Sequence, residues 1–139
     1  MTATILIADD YEDNLELLRL LLVAADYQVC EARNGQECLT MAREQLPALI
    51  MVDLSMPELD GWQVLRELKA DERTAAIPCV AVTAYGDSHR ERALRTGFNA
   101  YLSKPFFGAE LLETVKRLLP KSRASTPAAP KKGRKPASA

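Results

Sequence analysis

Residues 48–61 read ALIMVDLSMPELDG, and their pattern decides the architecture. The stretch from Ala48 to Val52 is continuous in apolarity, which suits a strand covered on both faces rather than one with a wet side. It ends in one carboxylate, Asp53, followed by a short loop containing Pro57. From Gly61 the apolar residues fall at helical spacing. No other strand-like run is as apolar, so Ala48 to Asp53 belongs at the centre of a sheet.

The same strand-then-helix unit recurs on both sides. Upstream, Thr4 to Asp9 reads as a strand and about Asp13 to Ala25 as a helix, with Leu15, Leu18 and Leu22 at helical spacing. Asp13 and Glu16 have the spacing of a capping box. Gln28 to Ala32 is a second strand, and the helix from Gly35 to Gln45 is stopped by Pro47. Downstream come a helix over Gly61 to Asp71, a strand over Cys79 to Thr83 opened by Pro78, and a strand over Asn99 to Ser103. Between those last two strands, Asp87 to Arg95 is nearly all charged and predicts a loosely held helix. Gly108 to Leu119 closes the pattern with Leu111, Leu112, Val115, Leu118 and Leu119.

Five such units predict an α/β fold, a parallel sheet with helices on both faces and right-handed crossovers. Two strand orders are common, the flavodoxin-like 2-1-3-4-5 and half of a dinucleotide-binding sheet. The second wants a Gly-rich turn after strand one. Here that turn is Asp9-Asp10-Tyr11-Glu12-Asp13, which disfavours it.

Composition bounds the function. The chain has 139 residues, 47% hydrophobic and 27% charged, enough for one globular domain. No apolar run approaches the roughly 20 residues of a membrane-spanning helix, and no secretory signal is apparent, so a cytoplasmic location is expected. Cys30, Cys38 and Cys79 are scattered and read as small core residues of a reducing compartment. The lone His89 reads as a solvated residue, and Trp62 as cover for the sheet edge near the site.

The net charge of −1 conceals an asymmetry. Lys121, Arg123, Lys131, Lys132, Arg134 and Lys135 lie in a C-terminal stretch without a single acidic residue. Of the 18 basic residues that leaves 12 before Pro120, against all 19 acidic ones, a surplus of seven negative charges. A domain over 1–119 and a disordered, basic Pro/Ala/Lys-rich tail over 120–139 are therefore expected. For the tail a solvated linker is the plainer reading beside contact with nucleic acid, an acidic partner or an anionic membrane.

Ligands of open α/β sheets bind beyond the carboxyl ends of the strands, where strand order reverses. Asp9 and Asp10 end strand one, Asp53 ends strand three, Thr83 ends strand four, and Lys104 follows strand five. Three carboxylates at close range repel unless a cation joins them. An oxygen-only set with room for water selects Mg²⁺ over softer ions and over Ca²⁺. With the metal in place one carboxylate becomes a nucleophile toward phosphorus, while Lys104 and the Thr83 hydroxyl meet the phosphoryl oxygens. Read singly, each residue has a plainer role: Asp9 and Asp10 as helix caps, Asp53 as a turn residue, Lys104 as a salt-bridge partner.

Four motifs in order turn these positions into a resemblance. The string Asp53-Leu54-Ser55-Met56-Pro57-Glu58-Leu59-Asp60-Gly61 resembles the phosphoacceptor signature of two-component response-regulator receiver domains. Asp9-Asp10 followed by Asn14, Val82-Thr83-Ala84, and Lys104-Pro105-Phe106 resemble the family's other strand ends, over about residues 4–119. The single-domain layout is similar to that of chemotaxis-type receivers.

The resemblance implies Asp53 as phosphoacceptor and Asp10 and Asp53 as direct Mg²⁺ ligands. It implies that Asp9 acts through water, and that the Ser55 backbone carbonyl completes the protein ligands. Thr83 and Lys104 would contact the phosphoryl group, Tyr101 would be the switch aromatic, and Lys104-Pro105 would be a cis bond. The implied partners are a sensor histidine kinase or phosphotransfer protein and a downstream target protein reached through helix four, strand five and helix five. Such a receiver catalyses only its own phosphorylation and dephosphorylation. An aspartyl-phosphate phosphatase would carry a second Asp where Ser55 stands. A scaffold that works without phosphorylation is the remaining alternative.

Overall fold

In the computed structural model of the chain, which describes residues 3–119, the ALIMVD stretch supplies the middle strand of a five-stranded parallel sheet. The elements are β1 (Thr4–Ala8), α1 (Glu12–Ala24), β2 (Gln28–Ala32), α2 (Gly35–Gln45), β3 (Leu49–Asp53) and α3 (Gly61–Ala70). They continue with β4 (Cys79–Thr83), a 3-10 turn over Gly86–His89, α4 (Arg90–Thr96), β5 (Ala100–Ser103) and α5 (Gly108–Leu118). Strand order is β2-β1-β3-β4-β5, the flavodoxin-like order, so the sheet is doubly wound and the order reverses between β1 and β3. The expected tail over 120–139 lies outside the described residues.

Alternation along the strands divides the core between two layers. Leu6, Ile50, Val52 and Ala81 face α2 and α3, meeting Leu39, Ala42, Val64, Leu65 and Leu68. Ile5, Ile7, Leu49, Met51, Val80 and Val82 face α1 and α5, meeting Leu15, Leu18, Leu22, Leu111 and Val115. Every residue of β3 and β4 is buried, as a strand covered on both faces must be. Burying each such side chain contributes about 1.5–3 kcal/mol, so the layered core outweighs local propensity in setting the strands. Cys38 and Cys79 are buried in it, and burial pushes their thiols up to about 12 and about 11, the inert end of cysteine chemistry.

Several local expectations are corrected. The capping box of Asp13 and Glu16 does not form: α1 starts at Glu12 with Tyr11 as N-cap and no side-chain cap. Asp9 instead accepts the Tyr11 N–H at 2.9 Å, drawing the first turn toward the end of β1. The real capping box is at α3, where the Asp60 side chain accepts from Gln63 N–H and the Gln63 side chain accepts from Asp60 N–H. The single helix expected over Asp87 to Arg95 is a 3-10 turn followed by a seven-residue helix, with only Ala93 buried. His89 is not simply solvated, since it lies edge-on between Tyr85 and Trp62, with ring centroids 4.9 and 6.1 Å away. Trp62 covers the seam between α3 and α4 rather than the sheet edge: it packs on Phe98 at 5.9 Å and lies under the Arg92 guanidinium at 4.1 Å.

Candidate functional site

Parallel pairing brings the strand ends to one edge. Ala8 is in register with Val52, Asp53 with Val82, and Thr83 with Ser103, so the residues just past each strand cluster there. The β1 ladder extends one step through Asp9 N–H to Ala32 O at 3.1 Å, and the β5 ladder through Lys104 N–H to Thr83 O at 2.7 Å. These main-chain bonds fix the directions in which Asp9 and Lys104 leave the sheet.

One carboxylate oxygen from each of Asp9, Asp10 and Asp53 lies within 4.8 Å of the others. Asp9 is 1% exposed and Asp53 7%, whereas Asp10 faces solvent. Lys104 reaches across them, its Nζ 2.9 Å from Asp9 Oδ2 and 3.2 Å from Asp53 Oδ2. Asp53 Oδ1 accepts the Ser55 N–H at 3.0 Å, and Asp9 Oδ2 also accepts from Asn14 Nδ2 at 3.1 Å. Three carboxylates against one ammonium leave two negative charges uncompensated, the charge of one divalent cation. The donors are all oxygen and one side is open to water, which fits a hard ion such as Mg²⁺.

The electrostatics agree with that geometry. Burial pushes the Asp53 carboxyl above its ordinary range; the Ser55 N–H and the Lys104 charge oppose this, and the Asp9 charge adds to it. Burial would lower Lys104, but hydrogen bonds to Asp9 and Asp53 and their charges outweigh it and raise its ammonium above the usual value. The ammonium therefore stays charged between the two buried carboxylates, and another cation would offset the burial of Asp53.

The other expected residues are less directly joined. Thr83 is buried at the end of β4 beside the Asp53 strand, and its hydroxyl accepts the Tyr85 N–H at 3.3 Å. Ser55 meets Asp53 through its N–H. Tyr101 is buried on β5, separated from the Asp53 strand by β4; its hydroxyl donates to Gly86 O at 2.6 Å, in the turn between β4 and α4. The Lys104–Pro105 peptide bond is cis. Beside Lys104 a cleft of about 340 Å³ is walled by Asn14, Leu17, Leu18, Ala84, Pro105 and Phe106.

Two contributors stood in the sequence motifs without a role assigned to them. Asn14 orients Asp9, a role its place in the first turn of α1, five residues beyond, was compatible with but did not announce. Gly61 lets α3 start against the end of β3: a Cβ there would come 2.5 Å from Asp53 O and 2.8 Å from Leu54 Cα. The signal was available, since a tight bend between a strand end and a helix start often needs a residue without a side chain.

The sequence pattern of the response regulator receiver domain matches residues 5–116. The polar-differentiation response regulator DivK of Brucella ovis is 40% identical over 120 residues, covering 86% of this chain and 98% of the relative. The receiver domain of the Pseudomonas aeruginosa sensor histidine kinase PA1611, solved with a magnesium ion coordinated in its active-site cleft, superposes with a TM-score of 0.78 at 32% identity, over 85% of this chain and 98% of that one. The Vibrio cholerae chemotaxis protein CheY4 superposes with a TM-score of 0.80 at 25% identity, over 86% of this chain and 100% of that one. No helix among the described residues is long and apolar enough to cross a membrane. With strand order, acidic edge and sequence pattern in agreement over nearly the whole described chain, the protein belongs to the response regulator receiver domain family of two-component signalling.

Proposed function

We propose that this receiver accepts a phosphoryl group on Asp53 from a sensor histidine kinase or phosphotransfer protein, in a cytoplasmic reaction that depends on Mg²⁺. The observation that carries the reading is the cluster of Asp9, Asp10 and Asp53 at one strand edge with Lys104 across it. Asp10 and Asp53 would hold the metal directly, Asp9 through water, and the Ser55 carbonyl would complete the protein ligands. Bound Mg²⁺ neutralises negative charge on the carboxylates and on the incoming phosphoryl oxygens.

An Asp53 carboxylate oxygen attacks phosphorus, the phosphorus–nitrogen bond of the donor phosphohistidine breaks, and its electron pair returns to the imidazole. Lys104 moves from the Asp53 carboxylate to a phosphoryl oxygen, and the Thr83 hydroxyl donates to another. The apolar cleft beside Lys104 gives the donor a surface to pack on while its histidine is in line. The chain turns over no external substrate and catalyses only its own phosphorylation and hydrolysis.

Drawing Thr83 toward the phosphoryl group moves the turn that holds the Tyr101 hydroxyl, and with it the α4–β5–α5 surface that meets a downstream protein. Moving such a surface from 1:99 to 99:1 takes about 5.5 kcal/mol of differential stabilisation. Residues 1–119 form the receiver in this reading, with 120–139 as a basic appendage. Hydroxylamine provides the test. An acyl phosphate on Asp53 is released by neutral hydroxylamine, and label that resists it sits on a hydroxyl instead and sinks the assignment.

A further inference from the structure

Away from the acidic edge, the groove between α3 and α4 has matched charges on one flank of α3 only: Glu67 and Asp71 meet Arg43, and Asp71 also holds Arg73. On the other flank the charges are unmatched. Trp62, Arg66 and Lys69 follow one another at i, i+4 and i+7, so they share the flank that Trp62 shows to be turned toward α4. At its far end Lys69 and Leu65 lie within 3.8 Å of the place a Cβ on Gly97 would occupy, which keeps the stripe against the end of α4.

Arg66, Lys69 and Arg92 are exposed and have no carboxylate partner among the described residues. The acidic residues of the turn and of α4 are spent elsewhere: Asp87 pairs with Arg90, and Glu91 with Arg95. The groove is thus a basic stripe, with an aromatic head made by Tyr85, His89 and Trp62, on a body that carries a surplus of seven negative charges before Pro120. An unmatched patch of opposite sign on an acidic body is a site for electrostatic complementarity.

We propose that the α3–α4 groove binds a short acidic segment of a partner protein, in extended form. From Trp62 to Lys69 the helix rises about 10 Å, and same-face side chains of an extended segment recur about every 7 Å. Carboxylates at alternate positions of a segment of about five residues, about 13 Å, can therefore meet the long side chains of Arg92, Arg66 and Lys69 in sequence. The chain's own C-terminal stretch is excluded as the occupant because it has no acidic residue. A nucleic acid is disfavoured because its charge continues past the stripe into the field of the acidic body, whereas a short peptide ends within about one Debye length.

The test uses the full chain and a fluorescein-labelled peptide of alternating Glu and Asp, followed by anisotropy. The sole tryptophan, Trp62, lies under Arg92 and gives an independent signal from the groove itself. The double variant Arg66→Glu/Lys69→Glu is compared with Lys116→Glu/Arg117→Glu, an equal charge change on exposed residues of α5. The expected result is a loss of about tenfold in affinity for the groove variant against less than about twofold for the α5 variant, with peptide changing Trp62 emission in wild type. Equal losses in both variants, no binding, or no Trp62 response would overturn the proposal. So would a short oligo-dT that binds as tightly and is lost with the same groove residues.

Discussion

Helices α3 and α4 lie side by side over the same half of the sheet and are held there in different ways. α3 begins in a capping box, starts with Gly61 pressed on the backbone of Asp53, and buries Val64, Leu65 and Leu68. α4 begins without a side-chain cap, out of a 3-10 turn, and buries Ala93 alone. Its moorings are polar or lie at its edge: the Tyr101 hydroxyl on Gly86 O, the Arg90 guanidinium on Tyr101 O at 3.2 Å, and Trp62 against His89 and Arg92. Apolar burial is hard to trade for anything else, whereas hydrogen bonds and cation–π contacts exchange at little cost. The helix beside Asp53 is therefore anchored and the one beyond Thr83 is movable, which suits the proposed switch, in which the α4 side responds to phosphorylation.

The contrast is broken most easily by truncating each helix. Leu68→Ala, at a fully buried position of α3, should cost about 2–5 kcal/mol in denaturant unfolding. An equal cost from Leu94→Ala, on a residue 45% exposed in α4, would show that α4 is anchored after all. Removing the cap of α3 by Asp60→Ala should cost about 0.5–2 kcal/mol, and hydrogen exchange should then speed up first at Gly61–Val64. Leu94→Ala itself should stay within about 0.5 kcal/mol, and α4 amides should already exchange faster than those of α3 in wild type.

The acidic edge adds a prediction whose sign comes from titration. Because the folded pKa of Asp53 is raised, its ionised form is less favourable in the fold than in the unfolded chain. That penalty is fully present above the folded pKa and fades as pH falls through it to below the unfolded value near 3.8. Asp53→Asn should therefore raise Tm at neutral pH, and the gain should shrink on acidification. Mg²⁺ should raise Tm of wild type and not of the variant, by thermal melts at a fixed ionic strength. A variant less stable than wild type at neutral pH would mean that the ion pair with Lys104 outweighs the burial penalty.

Much of this was legible in the sequence, for identifiable reasons. Strands covered on both faces must be apolar throughout, so runs such as ILIA and LIMVD declare themselves. In a parallel sheet all strands end at one edge, so Asp9, Asp53, Thr83 and Lys104 were brought together by chain order alone. What was not legible lacked a distinctive pattern in the sequence. The start of α1 was misplaced because Asp13 and Glu16 fit a capping rule, whereas the Asp9 carboxylate takes the N–H of Tyr11. The region around α4 lacks an apolar period, so nothing local separates the 3-10 turn from the helix. His89 and Trp62 lie 27 positions apart, and their meeting follows only from how α3 and α4 cross the sheet.

The most direct measurement is intact-protein mass after incubation with acetyl phosphate and Mg²⁺, for wild type and for Asp53→Asn, each with and without a chelator. The expected result is a gain of about 80 Da, one phosphoryl group, in wild type with Mg²⁺ only. A gain that persists in Asp53→Asn or in chelator would contradict the assignment of Asp53 and its metal. No gain in any sample would contradict phosphoryl acceptance from this donor and bring forward a scaffold that works without phosphorylation.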